Sequence, residues 1–406
     1  MNDAAHVVAR CRELAGITDV EGETTRTFLS PAMRRANEQV AVWMRDAGLD
    51  VRTDAAGNLR GLRASHRPDA KTFVIASHLD TVPNAGAFDG VLGVMMGIAV
   101  TEHLRHHSLP FHLEIIGFSE EEGVRFGTPF IGSRALVATL DDAFLDRRDP
   151  QGNSISDALE AYGLNADIAS ASLRNALGYM EFHIEQGPAL ESEGLPLGVV
   201  EAIAGQSRYE VVFHGQANHA GTTPMALRRD AMAAAAEWIV EVERYAVATP
   251  GLVATTGSVQ TLRGAGNVIA GEVRVTLDVR SALDTSRLDA VQHLLAFAVE
   301  CGRRRDVTIA NTARMQQDAV FMDTSLMRLL EDAVDSTGTV IRRIVSGAGH
   351  DAMVVAPHIP AAMLFLRTPG GLSHHPDEAV VPGDVQLGLD AGVAFLLALA
   401  ARETTA

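Results

Sequence analysis

Four short stretches of this chain carry residue types that hold cations and move protons. The first, SHLDTVPNAGAFDG (77–90), sets His78 and Asp80 two residues apart. On a strand that spacing puts both side chains on one face. A carboxylate beside an imidazole fixes the ring tautomer that a cation requires. Asp89 follows in a Gly-flanked loop at the start of an apolar helix. A carboxylate there can bridge two cations, with the N–H groups of the helix start helping to orient it. The second stretch, FSEEEGVRF (118–126), has three successive glutamates after an apolar run. Such a run is costly to bury unless something positive compensates it. One carboxylate can then ligate a metal while its neighbour takes the proton of an attacking water. The third, YMEFHIEQGPALE (179–191), ends an alternating strand on His183 before Gly187-Pro188. The fourth, GGLSHHPDE (370–378), places His374 and His375 after a Gly-Gly turn. Adjacent histidines do not easily face one site, so one of them serves the structure.

Each stretch has an ordinary explanation when taken alone. A His-Leu-Asp triplet can be a strand end with a capping aspartate, and three glutamates can be a solvated turn. Taken together they offer three histidines, two carboxylates and a spare glutamate. Zinc and similar divalent ions accept nitrogen and oxygen donors of this kind. Two ions sharing one carboxylate would each have three protein ligands and room for a water between them.

These residues need a frame. Helices are expected near 3–15 and 30–47, the second started by Ser30-Pro31 and stopped by Gly48. The run 72–80 reads as a buried parallel strand, followed by a helix from Gly90 to His103 and a strand at 111–119. Strand, helix and strand in that order form an α/β unit. After about residue 205 the order becomes β-α-β-β-α-β, the ferredoxin-like arrangement. From about 324 the pattern returns to helix, strand and helix. The fold class expected is therefore α/β: a mixed, mostly parallel sheet flanked by helices (1–205 and 316–406), interrupted by a smaller α+β unit (206–315).

Composition narrows the function classes. At 406 residues with 47% hydrophobic and 21% charged residues, the chain can bury a sizeable core. The net charge of −17 argues against nucleic acid, which needs a basic field. No apolar run looks long and uninterrupted enough to span a membrane; 90–100 is the nearest. The N-terminus reads as an amphipathic helix rather than a signal peptide. Cys11 and Cys301 give neither a disulfide framework nor a thiolate metal site, and a cytoplasmic setting is the simplest expectation. Lys71 is the one lysine among 34 Lys and Arg residues, which restricts lysine-based covalent chemistry to that position.

At these residues the sequence resembles the hydantoinase/carbamoylase amidases, a family within the aminoacylase- and carboxypeptidase-type dinuclear metallohydrolases. The motifs SHLDTVPNAGAFDG, EEGVRF, HIEQGP, GQANHAGTTPM, NVIAG, LDVR, SGAGHDA and GGLSHHPDE occur in the family's order across the chain. The resemblance implies two divalent metal ions per subunit (zinc, or manganese, cobalt or nickel) held by His78, Asp89, Glu122, His183 and His374. Asp89 would be the bridge, Asp80 the orienting partner of His78 and Glu121 the general base. His219 would stabilise the oxyanion, delivered across a homodimer formed by the smaller lid domain. Gln186, Asn267 and Arg280 would bind the substrate's amide and α-carboxylate. For Arg280 the residues also allow a plain pair with Asp278. The implied activity is hydrolysis of the carbamoyl C–N bond of an N-carbamoyl-L-amino acid or related ureido acid. Allantoate amidohydrolysis is the alternative. An N-acyl-amino-acid or dipeptide hydrolase is disfavoured because His183 stands where peptidase branches commonly have a carboxylate. Two departures stand out: Ala270 replaces a frequent proline, and Arg367-Thr368 precede the last ligand, where an extra arginine could bind a second acidic group on the substrate or simply pair with the acidic surface.

Overall fold

The computed structural model describes residues 3–164, 167–262 and 264–405. Two compact units emerge, Met1–Glu201 with Phe321–Ala406, and Ala202–Val320.

At the centre of the larger unit lie four parallel strands in the order His112–Phe118, Thr72–His78, Ala176–Ile184 and Ala361–Leu366. Thr72–His78 and Ala361–Leu366 are buried along their whole length. Their sequences, TFVIASH and AAMLFL, are near-continuous apolar runs because helices cover both faces. Antiparallel strands Leu59–Arg63 and Leu197–Ile203 flank this core. The helix Val91–His103 crosses from one parallel strand to the next. Residues 91–101 of it are buried, which explains why it is apolar on every side.

From Thr72–His78 the chain steps to one neighbouring strand and later to the other. The crevice beyond the carboxyl ends of Thr72–His78 and Ala176–Ile184 is therefore the switch point where α/β sheets bind ligands. His78 closes one of these strands, and His183 is the penultimate residue of the other.

One sequence expectation changes at the C-terminal helix, Pro382–Thr405. It is long and apolar enough to cross a membrane by length and composition. Half of that apolar stretch is buried, with Val385, Leu389, Phe395, Leu396 and Leu399 turned into the unit. The helix packs on Thr324–Ser336, Asp3–Ala15 and Val91–His103. Residues 127–175, to which the sequence reading assigned no elements, hold the short helices Ile131–Leu136, Asp142–Leu145 and Ile155–Tyr162 around a satellite core of Phe28, Ile131, Phe144 and Leu159.

The smaller unit is an antiparallel sheet in the order Thr308–Gln317, Gly205–His214, Glu272–Ser281, Leu252–Thr255. Helices Ala231–Ala248 and Asp284–Arg305 pack on it around Trp238, whose Nε1 donates to the Leu294 carbonyl at 2.8 Å. Its limits run a few residues beyond 206–315. Gly205 pairs with Ser281 and Gln317 with Gln206, so backbone pairing holds both ends of the segment in this sheet.

Candidate metal centre

Asp89 sits in the middle of the cluster, and its two oxygens face different ways. Oδ1 faces Nε2 of His183 at 3.3 Å and Nε2 of His78 at 3.9 Å. Oδ2 faces Nε2 of His374 at 3.2 Å. Glu122 reaches the same His374 nitrogen at 3.5 Å. Potential ligand atoms of His78, Asp89 and His183 lie within 4.8 Å of one another, as do those of Asp89, Glu122 and His374. The two sets meet at Asp89.

The imidazoles are held with a nitrogen turned inward. His183 Nδ1 lies 2.9 Å from the Ile184 carbonyl, and His78 Nδ1 lies 3.0 Å from the Asp80 carbonyl. A carbonyl can only accept, so each Nδ1 carries a proton and each Nε2 is turned toward Asp89; on His183, whose ring is neutral, that Nε2 presents a lone pair. Burial, with help from His78, lowers the His183 pKa to about 4 and keeps the ring neutral. A lone pair and a carboxylate oxygen at 3.3 Å repel unless a cation or proton lies between them. This arrangement fits divalent cations, and the mixed nitrogen and oxygen donors suit them.

Close approach at the helix start requires glycine. Gly90 has φ +67°, and a Cβ there would fall 2.4 Å from the His78 ring. Asp80 has two tasks. Its Oδ1 lies 3.4 Å from His78 Nδ1, and its two oxygens accept the backbone N–H groups of Glu121 and Glu122, each at 3.0 Å. One carboxylate thus orients an imidazole and pins the turn that carries both glutamates.

Negative charge is dense here. Asp80, Asp89, Glu120, Glu121 and Glu378 are all buried. Burial, reinforced by Asp89, pushes Glu122 up to about 7. Burial likewise raises Glu121 well above the ordinary carboxylate range. For Asp89 the opposite holds: burial is outweighed by His374, His183 and His78, and its pKa is lowered. On His78 burial opposes a charge, but Asp80, Glu121 and Asp89 outweigh it and raise its pKa.

Gln186 overhangs the pair. Its Nε2 donates to both Asp89 oxygens, at 3.1 and 3.0 Å, and lies 3.1 Å from Ser373 Oγ. Its backbone is left-handed, φ +58°, and is held by a hydrogen bond from its N–H to Thr368 Oγ1 at 3.1 Å. Its Oε1 is buried without a hydrogen-bond partner. Thr368 is therefore a support for Gln186. Arg367 forms a two-pronged pair with Asp384, at 2.9 and 3.0 Å, which answers the question raised by the extra arginine.

The smaller unit holds the remaining candidates. His219 Nδ1 accepts N–H groups from Gly221 and Thr222, at 3.0 and 3.2 Å, so Nε2 carries the proton. A bridge between His219 and Val268, with Ala220 N–H donating to Asn267 O at 2.9 Å, places Asn267 on the loop beside it. Arg280 pairs with Asp278 through two bonds, at 2.9 and 3.0 Å, and Arg208 shares that carboxylate at 2.8 Å.

Sequence reasoning missed three contributors. Ser373 donates to Asp89 Oδ2 at 3.1 Å. Glu378 accepts from the backbone of Phe88 and Asp89. Glu120, the first of the three glutamates, is fully buried with neither oxygen hydrogen-bonded. Ser373 and Glu378 flank the predicted ligand His374 in GGLSHHPDE, and that proximity was the available signal.

The model for "Peptidase family M20/M25/M40" matches residues 74–398. The chain belongs to that family. Within it, a hydantoinase/carbamoylase family amidase from Burkholderia ambifaria superimposes with a TM-score of 0.92 at 34% identity, covering 98% of this chain and 97% of the other. An N-carbamoyl-L-amino acid amidohydrolase from Geobacillus stearothermophilus is 39% identical, covering 91% of each chain. Allantoate deiminase 2 from Glycine max is 37% identical, covering 96% of this chain and 88% of the relative. The chain is thus a member of the hydantoinase/carbamoylase amidases, hydrolases of C–N bonds in a metal-dependent family.

Proposed function

We propose that the chain is an amidohydrolase that cleaves the carbamoyl C–N bond of an N-carbamoyl-L-amino acid or a closely related ureido acid. The observation that carries this reading is Gln186 Oε1, a buried acceptor without a partner beside the bridging carboxylate. Leaving such an acceptor unsatisfied costs roughly 1–3 kcal/mol, and the NH2 of a carbamoyl group can satisfy it. The amidohydrolase named for N-carbamoyl-L-amino acids, 39% identical, supports the same substrate class.

His78, His183 and Asp89 would hold one divalent cation, and Asp89, Glu122 and His374 a second. The pair is zinc, or manganese, cobalt or nickel. When bound, the cations would polarise the scissile carbonyl and lower the pKa of water. Glu121, raised in pKa by burial, takes the proton of the attacking water and returns it to the departing nitrogen. His219, with its proton on Nε2, donates to the developing oxyanion. Arg280 and Asn267 receive the α-carboxylate, and the guanidinium fork suits it. The smaller unit also forms the homodimer in this reading.

The relative named for allantoate, at 37% identity, favours a second reading with a bis-ureido acid as substrate. The test is ammonia release from N-carbamoyl-L-amino acids and allantoate, and release of the free amino acid from N-acyl amino acids, each with and without chelator. The proposal expects chelator-sensitive release from the carbamoyl amino acids. Activity confined to allantoate moves the assignment to the second reading, and hydrolysis confined to N-acyl substrates overturns both.

A further inference from the structure

Glu378 is buried four residues beyond His374, on the same loop. Its Oε1 accepts two backbone N–H groups, from Phe88 at 2.8 Å and from Asp89 at 2.9 Å. These bonds span about 290 residues of sequence and join two loops that otherwise leave different strands. The fit is close. A Cβ on Gly86 would fall 2.3 Å from Glu378 Cβ and 2.6 Å from Oε1. Ser373, at the other end of the segment, donates to Asp89 Oδ2 at 3.1 Å. The 373–378 segment therefore grips Asp89 twice, once by its carboxylate and once by its backbone, with His374 between the two grips.

His78 and His183 have no need of such a strap, because they stand on buried parallel strands. His374 does. It lies on a loop with φ +57°, its side chain is 48% exposed, and it meets the cluster through Asp89 and Glu122. We propose that Glu378 is a positioning residue that locks the His374 loop to the Asp89 loop, so that occupancy of the His374 side by a divalent cation depends on it while occupancy of the His78 side does not. This rests on the reading of the centre as a two-cation site.

The experiment is calorimetric titration of the chelated full-length chain with zinc alone, with melting temperature measured in parallel. Wild type is expected to show two binding events. Glu378→Ala should keep one and weaken the other ten- to a hundredfold, the range typical for loss of an outer partner. The event it weakens should be the one that His374→Ala abolishes, and not the one that His183→Ala abolishes. Glu378→Gln retains an acceptor oxygen and should stay within about threefold of wild type. Gly86→Ala displaces Glu378 without removing its charge and should reproduce Glu378→Ala. That variant also carries the test if Glu378→Ala does not fold. Two unchanged events in Glu378→Ala or Gly86→Ala, or equal weakening of both events, overturns the proposal. A wild type that binds no zinc, manganese, cobalt or nickel removes the two-cation reading beneath it.

Discussion

The two sides of the centre are built differently. His78 and His183 lie at the ends of buried strands, 2% and 1% exposed, with Nδ1 hydrogen-bonded to a main-chain carbonyl. Glu122 and His374 come from a turn and a loop, and the His374 side chain is about half exposed. Asp89 belongs to both. Rigid elements give precise placement, whereas loops give access and adjustability. For the proposed two-cation centre the contrast implies one tight, slowly exchanging position and one looser position open to solvent.

The largest expected effect lies where the sides meet. Glu121→Gln should lower kcat by about a hundredfold or more while both cations stay bound. Steady-state ammonia release combined with elemental analysis checks this, and near-normal turnover with metals in place removes Glu121 as the base. Next comes a matched pair. His183→Ala deletes a buried, hydrogen-bonded ring and should cost roughly 2–4 kcal/mol of folding stability along with its cation. His374→Ala should lose its cation yet shift stability by only about 0.5 kcal/mol. Equal losses in denaturant melts would erase the distinction between the sides.

A pH effect follows from the carboxylates. Burial pushes Glu122 and Glu378 each up to about 7 from the ordinary 4.5. Between those values the folded, chelated chain holds protons that an unfolded chain has released. The contribution of these carboxylates to the stability of the chelated chain is therefore full below about pH 4.5 and is lost as pH rises through about 7. Cations supply the missing positive charge, so the gap in Tm between loaded and chelated protein should widen with rising pH. Scans from pH 5 to about 8 read it directly, and a constant gap contradicts the charge argument. The smallest effect on the centre itself is expected from Arg280→Lys. Loss of the two-pronged fork should raise KM about tenfold and leave both metal affinities unchanged. A change in metal binding would mean that Arg280 acts on the centre.

The tight side was the more legible in sequence, and for a physical reason. An apolar run that ends in His, as TFVIASH does, marks a buried strand delivering an imidazole at its carboxyl end. Spacing, periodicity and residue type all report the same thing there. The loop side was legible only in its residue types. Glu378 works through backbone N–H groups about 290 residues away, which no periodicity records. Thr368 looked like an oddity beside the site until its bond to Gln186 gave it a task. Arg280 and Arg367 show the complementary limit. Sequence offered each a substrate role or a carboxylate partner, and the folded chain supplies the carboxylates, Asp278 and Asp384. The helices at 131–162 went unassigned because they are short and pack on a satellite core away from the main sheet.

Asp89 as the shared ligand is the claim on which the rest depends. Anomalous diffraction from crystals loaded with zinc tests it most directly. Two peaks are expected, one beside Oδ1 with His78 and His183, the other beside Oδ2 with Glu122 and His374, the second weaker after brief chelation. A single peak, or two peaks that do not share Asp89, would contradict it.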